Sequence, residues 1–456
     1  MGAEFLAALR VALPDLRVLT EAGEVEAYRY DETEYLHPGM PLAVAFPATT
    51  ADVETIVRLA AAHGVPLVPR GAGTGLSGGA TGVEGALTVV MTGLAAILEI
   101  DQANLVAVVQ PGVINADLGR AAAAVGLFYA PDPASFETCT IGGNLAENSG
   151  GLRCLKYGVT RDAVLGLEVV LADGTVIRTG GKTIKDVAGY DLTHLFIGSE
   201  GTLGIITEAT LRLHPEPPPK LTLLAFFASV HDAGRAVAGI TAAGLVPVTL
   251  ELMDRFTIRA VDAAMRVGLP EDAGAMLMIE SDAGVAAADE LDRAEAACRA
   301  AGATETARAA DATEADWLRE ARRKAHWSLE QAGVARMDDV GVPRSRVPEL
   351  LDAIEAISVE AGLPVGVFGH AGDGNLHPTF VVDRDDPTAE ARINAARARI
   401  YEAAIALGGT ITGEHGTGVA KRAYLEAQRG PDAVRVMRAV KAALDPLGIL
   451  NPGKVL

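Results

Sequence analysis

The stretch PRGAGTGLSGG, residues 69–79, decides how the first half of the chain is read. Gly73, Gly75 and Gly78 satisfy G-x-G-x-x-G, the loosest form of the dinucleotide fingerprint. That fingerprint works when a helix opens directly after the loop and turns its positive end toward a pyrophosphate. Here ATGVEGALTVV follows, glycine-rich and then β-branched, so the context of a Rossmann NAD site is missing. The loop itself still carries chemistry: its five glycines let several backbone N–H groups approach a phosphate, and Thr74 and Ser77 add hydroxyl donors. TIGGNLAENSGG (140–151) and GSEGTLG (198–204) are two further glycine loops in the same domain. One such loop alone reads as a tight surface turn. Three together point to an extended ligand laid across backbone.

Working outward, residues 50–64 read as a helix, with Val53, Ile56, Val57 and Ala60 on one face and Gly64 as its stop. A strand is expected at 65–68, a second helix at 115–126, and a strand-rich region at 166–210, where short β-branched runs alternate with turns. HPEPPPK (214–220) reads as a linker, since clustered prolines continue neither helix nor sheet. The expected domains are therefore 1–218 and 219–456. Beyond the linker LTLLAFFA, an alanine-rich helix, VPVTLELM and AMLMIESD alternate strand and helix, which predicts an α+β domain on an antiparallel sheet.

The balance of 49% apolar and 21% charged residues over 456 positions is that of a folded globular protein of two or three domains. A formal charge of −20, with no basic patch to offset it, argues against nucleic acid as a partner. MGAEFLAALRVALPDL carries Glu4 early and lacks a basic leader region, so it reads as an amphipathic helix rather than a signal peptide. Leu6 stands where a myristoylation pattern needs Ser or Thr. No apolar run approaches the roughly 18 residues that span a bilayer, so the expected location is cytoplasmic, at most peripheral to the inner membrane through partners. Cys139, Cys154 and Cys298 are widely spaced, unlike the ligands of a zinc or iron–sulfur site.

In VGVFGHAGDGNLHPTFVV, apolar runs flank a Gly372-Asp373-Gly374-Asn375 turn, a hairpin signal. With Asp373-Gly374 as a two-residue turn, His370 would lie directly opposite His377, their Cβ atoms about 5 Å apart, a separation that suits one shared metal ion. A structural pair and a metal pair are equally compatible with this spacing. Further on, TGEHGTG (412–418) sets Glu414 beside His415. In a regular strand these neighbours face opposite ways, so joint action needs the irregular backbone that Gly413, Gly416 and Gly418 permit. An exposed polar turn is the other reading. Arg322, Arg323 and Lys324 offer cations for a carboxylate substrate, or form the solvated face of a helix.

PRGAGTGLSGG, PDPASFETCTIGGNLAENSGG, YGVTRDAVLGLEVVLADG and GYDLTHLFIGSEGTLGIIT together resemble the FAD-binding domain of the vanillyl-alcohol oxidase and p-cresol methylhydroxylase superfamily. The resemblance extends through nearly the whole chain. It is strongest to the branch that holds the glycolate oxidase FAD subunit, D-lactate dehydrogenase and D-2-hydroxyglutarate dehydrogenase. It implies a two-subdomain FAD-binding domain of the p-cresol methylhydroxylase type, then an antiparallel-sheet substrate (cap) domain with a C-terminal helical segment. Arg70, Gly71, Ala72, Gly73, Thr74, Gly75, Ser77 and Gly78 would wrap the FAD pyrophosphate. Pro131, Thr140, Gly142, Gly143, Asn144, Gly201, Gly204 and Ile206 would line the flavin and ribityl chain. Members that attach FAD covalently often use a histidine where Thr74 stands, which implies non-covalent FAD here.

The same resemblance makes His370, His377 and Glu414 ligands of a divalent metal (Zn, Mn or Fe), His415 the catalytic base, and Arg322 the carboxylate ligand, with a slip to Arg323 left open. Lys421 also matches a family lysine and carries no assigned role. The implied reaction is oxidation of a small D-2-hydroxy acid, glycolate or D-lactate, to the 2-oxo acid by hydride transfer to flavin N5 while His415 takes the hydroxyl proton. D-2-hydroxyglutarate is the alternative substrate, and a metal-dependent hydrolase or a flavin-binding scaffold subunit are rivals of a different class. Reduced flavin would be reoxidised by an external acceptor, an iron–sulfur subunit or quinone.

Overall fold

The structure, a computed structural model, describes residues 2–33 and 35–456. They form two compact units. The first holds the N-terminal stretch to Gly150, Gly158–Glu216 and Glu414–Leu456, and the second holds Gly151–Tyr157 and Pro217–Gly413. The chain leaves the first unit inside the proline-rich stretch, but not as a simple linker. His214 and Pro215 first pair with Phe128 and Leu127, since a proline is tolerated where a short edge strand needs no donor. Nor does everything after 218 stay in the second unit. Lys454 Nζ donates to the carbonyls of Gly78 and Thr81 at 2.7 and 2.9 Å, and Asn451 Nδ2 donates to those of Gly79 and Glu200. The C-terminal stretch is thus tied to the glycine loops.

In the first unit the helix Thr50–His63 begins with a capping box between Thr49 and Asp52 and ends at Gly64, φ +64°. Its expected apolar face, Val53, Ile56, Val57 and Ala60, is fully buried among the strands of a sheet ordered Arg17–Leu19, Ala43–Phe46, Leu87–Val90, Leu67–Arg70. The last three of these strands run parallel. A second, antiparallel sheet is ordered Ile97–Asp101, Val106–Val109, Ile205–Arg212, Val164–Val170, Val176–Gly180. It covers its own core of Leu118, Ile141, Leu145, Phe196 and Leu211.

The second unit is one antiparallel sheet of eight strands. Its spine is Leu221–Phe227, Ala275–Ser281, Thr249–Asp254, Val365–His370 and Asn375–Val382. On one face Leu224, Phe226, Met253, Met276, Met278 and Phe368 pack with Ile258, Val261, Ala321, Ala325 and Leu329 from helices. The architecture is α+β, with helices closing the chain, as the sequence implies. Among the described residues no helix is long and apolar enough to cross a membrane.

One carboxylate lies deep in this face. Glu280 is fully buried and meets Arg319 Nε at 3.0 Å, Lys220 Nζ at 3.3 Å and the Thr249 hydroxyl at 2.9 Å. Burial alone would raise its pKa. The hydrogen bond from Arg319 and the charges of Lys220 and Arg319 outweigh burial and hold it at about 2. A carboxyl whose folded pKa is depressed stabilises the fold above its unfolded pKa and loses that contribution as pH falls toward the folded value. Glu280→Gln is expected to cost about 3–5 kcal/mol near neutrality, the usual loss when one partner of a buried pair is removed. In denaturant melts at stepped pH, the gap between wild type and variant should narrow from about pH 4.5, the ordinary glutamate value, downward. A gap independent of pH would contradict this.

Candidate active site

The three glycine loops come together in the first unit. Arg70, Gly71, Ala72, Gly73, Thr74, Gly75, Thr140, Gly142, Gly143, Asn144, Gly201, Gly204 and Ile206 line one cavity. Of the residues expected here, Ser77, Gly78 and Pro131 lie outside its wall. Ser77 is fully buried and faces Glu147, and the Pro131 carbonyl accepts from Asn115. Arg70 braces the loop from within. Its guanidinium is buried and donates to the carbonyls of Tyr30 and Ala80 at 2.8 and 3.3 Å.

The second loop is not a loop throughout. Ile141–Glu147 is a short helix, because Thr140 caps it by accepting from Gly143 N at 3.2 Å. Several glycines here leave no room for a side chain: a Cβ on Gly71 would strike the Thr140 hydroxyl, and one on Gly142 would meet Pro111 Cβ at 2.5 Å. Backbone laid bare this way can approach an extended dinucleotide closely, so these residues fit FAD.

Glu147 and Glu200 also line the cavity, two carboxyl groups that the glycine motifs do not announce. Burial, then the charge of Glu200, pushes the Glu147 carboxyl well above the ordinary range. Burial also lifts Glu200, to about 7, against hydrogen bonds from two amides. Those amides are Thr417 N, 2.7 Å from Oε1, and Gly418 N, 2.8 Å from Oε2. Glu200 sits at φ +52°, a conformation that costs a non-glycine residue about 1–2 kcal/mol. Its carboxylate thereby fixes the backbone just after His415. Glu414 and His415 lie in irregular chain, with Gly416 at φ +88° and Gly418 at φ +48°, and the His415 Nε2 to Glu414 Oε1 distance is 3.8 Å.

In the second unit the hairpin register differs from the expected one. His370 pairs with Asn375, and His377 pairs with Phe368. The connection is a four-residue loop, closed by Asp373 N donating to His370 O at 3.1 Å and Gly374 N to Ala371 O at 3.2 Å. The two histidines are therefore diagonal rather than opposite. They still share a face, with ring centroids 5.3 Å apart and planes at 86°. Both are buried.

Buried Glu251 faces His370 Nδ1 at 2.8 Å through Oε1 and Arg322 Nη2 at 2.6 Å through Oε2. With Glu251 Oε1 as the acceptor in this contact, Nδ1 is the donor, the tautomer that leaves the Nε2 lone pair for a ligand. Two buried imidazoles, one held in this tautomer by a carboxylate, fit a divalent cation. Arg322 lies 4.9 Å from the Phe368 ring centroid and is buried, whereas Arg323 is partly exposed and Lys324 exposed. Asp339, fully buried, accepts from Thr412 Oγ1 at 2.7 Å and Gly413 N at 2.8 Å, fixing the chain just before Glu414. Lys421 is buried in the first unit.

Gly142→Ala separates a ligand cradle from an ordinary helix glycine. Alanine would favour an isolated helix by about 1 kcal/mol, but against Pro111 it must displace the first turn. Reduced flavin content in the purified variant, read from the ratio of flavin to protein absorbance, is the expected outcome. Full flavin content with a raised melting temperature would contradict it.

Comparison with known proteins places this geometry. Residues 41–180 match the family model described as FAD binding domain, and residues 216–455 match FAD linked oxidases, C-terminal domain. The glycolate oxidase subunit GlcD of Bacillus subtilis is 48% identical over 430 residues, covering 94% of this chain and 91% of that protein. The D-lactate dehydrogenase of Archaeoglobus fulgidus is 36% identical over 437 residues, covering 94% and 96%. Among solved structures, p-cresol methylhydroxylase with substrate bound superposes with a TM-score of 0.83 at 17% identity over 99% of this chain and 96% of that one, a likeness of fold alone. Matches over both halves of the chain make this protein a member of the FAD-linked oxidase family, an FAD-dependent oxidoreductase.

Proposed function

We propose that this chain oxidises a small D-2-hydroxy acid, glycolate or D-lactate, to the 2-oxo acid, with non-covalent FAD and a divalent metal ion. The observation that carries the reading is the buried guanidinium of Arg322 in one polar cluster with His370 and Glu251. A cation held away from water among apolar side chains suits a small carboxylate, and a bidentate grip would orient it. The names of the relatives, a glycolate oxidase subunit and a D-lactate dehydrogenase, support the same substrate class.

FAD bound by the first unit supplies a hydride acceptor. The metal, Zn, Mn or Fe, supplies a Lewis acid, and His370, His377 and Glu414 would hold it. Arg322 binds the substrate carboxylate and fixes which face of the carbon is presented. His415 accepts the hydroxyl proton as the C–H bond breaks, so that no positive charge is left on carbon. The substrate thus loses a hydride and a proton and becomes the 2-oxo acid. Glu200 and Asp339 hold the backbone on either side of the Glu414-His415 pair. Because the Bacillus relative is named as a subunit, we take the electron acceptor to be external, an iron–sulfur partner or a quinone, with the chain cytoplasmic or peripheral to the inner membrane.

The neighbours Glu414 and His415 are given different work, and this can be tested. His415→Asn removes a proton acceptor but no metal ligand. Metal content should persist while anaerobic flavin reduction slows by a factor of about 10^2 to 10^4. Glu414→Gln should lower metal affinity, with excess metal restoring part of the rate. Stopped-flow reduction beside a metal assay on the same samples distinguishes them. Loss of metal in His415→Asn with full metal and rate in Glu414→Gln would reverse the assignment.

A further inference from the structure

We propose that Glu251 is a positioning residue that couples the substrate-binding guanidinium to the metal-binding imidazole, an inference that rests on the roles given above to Arg322 and His370. Glu251 lies on the strand Thr249–Asp254, whose ladder with Val365–His370 pairs Leu252 with Gly369, so Glu251 and His370 follow at its end. The side chain is 1% exposed. One oxygen, Oε1, meets His370 Nδ1 at 2.8 Å, and the other, Oε2, meets Arg322 Nη2 at 2.6 Å.

Each contact does separate work. Accepting the Nδ1 proton of His370 fixes the imidazole tautomer and raises the basicity of Nε2, the nitrogen left for a metal. Pairing with Arg322 holds the guanidinium from one edge while the Phe368 ring lies 4.9 Å from Cζ. Among the described residues Arg322 Nε is buried without a hydrogen-bond partner, so the fork retains a donor for an arriving carboxylate. An aspartate would not reach both partners at these distances without a shift of backbone, and an apolar residue would strand a buried guanidinium.

The test uses FAD-loaded wild type, Glu251→Gln, Glu251→Asp, Arg322→Gln and the double variant Glu251→Gln/Arg322→Gln, each checked for flavin content and melting temperature. Zn2+ or Mn2+ affinity is measured by competition with a chromophoric chelator, and the half-saturating concentration and limiting rate of flavin reduction are measured with glycolate and D-lactate. Glu251→Gln is expected to weaken metal binding about 10- to 100-fold and to raise the half-saturating substrate concentration. Glu251→Asp, keeping the charge, should recover part of both. In the double variant the substrate effect should not exceed that of Arg322→Gln alone, because Glu251 acts on substrate through Arg322, while metal affinity falls further. Flavin-replete variants with wild-type metal affinity and half-saturation would overturn the proposal and leave the roles of Arg322 and His370 intact. A wild type that binds no divalent metal and is reduced equally fast in its absence would overturn both.

Discussion

A charged carboxylate taken out of water must be met by a cation or by several donors, or it gives up its charge. In the second unit two such groups stand on one apolar face of the sheet: Glu280 on the strand Ala275–Ser281 and Glu251 on its neighbour Thr249–Asp254. One helix, Ala312–Arg323, answers both, with Arg319 on Glu280 and Arg322 on Glu251. Three residues apart, the two arginines lie on the same side of that helix. The helix is thereby held over the sheet, and one of the cations that does so, Arg322, is the one proposed to bind a carboxylate substrate. The same requirement shapes the chain around the Glu414-His415 pair, where backbone amides serve as the donors: Asp339 takes Gly413 N, and Glu200 takes Thr417 N and Gly418 N.

Much of this was legible in the sequence wherever the signal is local. The helix after Thr49 is announced by its capping residues and its stop at Gly64, and three glycine runs announce a backbone cradle. The hairpin was legible as a hairpin, but its register was not. Asp373-Gly374 suggests a two-residue turn, whereas closure at Ala371 and at His370 makes a longer one, and the histidines stay on one face only because the shift in pairing is even. A run of glycines likewise hid the helix at Ile141–Glu147, which depends on one threonine hydroxyl.

Glu251, Glu200 and Asp339 carried no signal in one dimension. In VTLELM the glutamate looks like the polar member of an alternating strand, and only the fold brings it to His370, 119 residues away. Glu200 reaches Thr417 across 217 residues. Residues that touch a ligand through a motif announce themselves by spacing, whereas residues that hold those residues in place are found by contact.

Fold and family matches make the protein an FAD-dependent oxidoreductase, and the substrate proposed for it is a small hydroxylated anion. The most direct measurement is anaerobic mixing of the FAD-loaded protein with glycolate, D-lactate and L-lactate, before and after treatment with a strong chelator. Loss of oxidised-flavin absorbance with glycolate or D-lactate but not L-lactate, abolished by the chelator and restored by Zn2+ or Mn2+, is the expected result. Flavin that none of these acids reduces, or that is reduced as fast after the metal is removed, would contradict it.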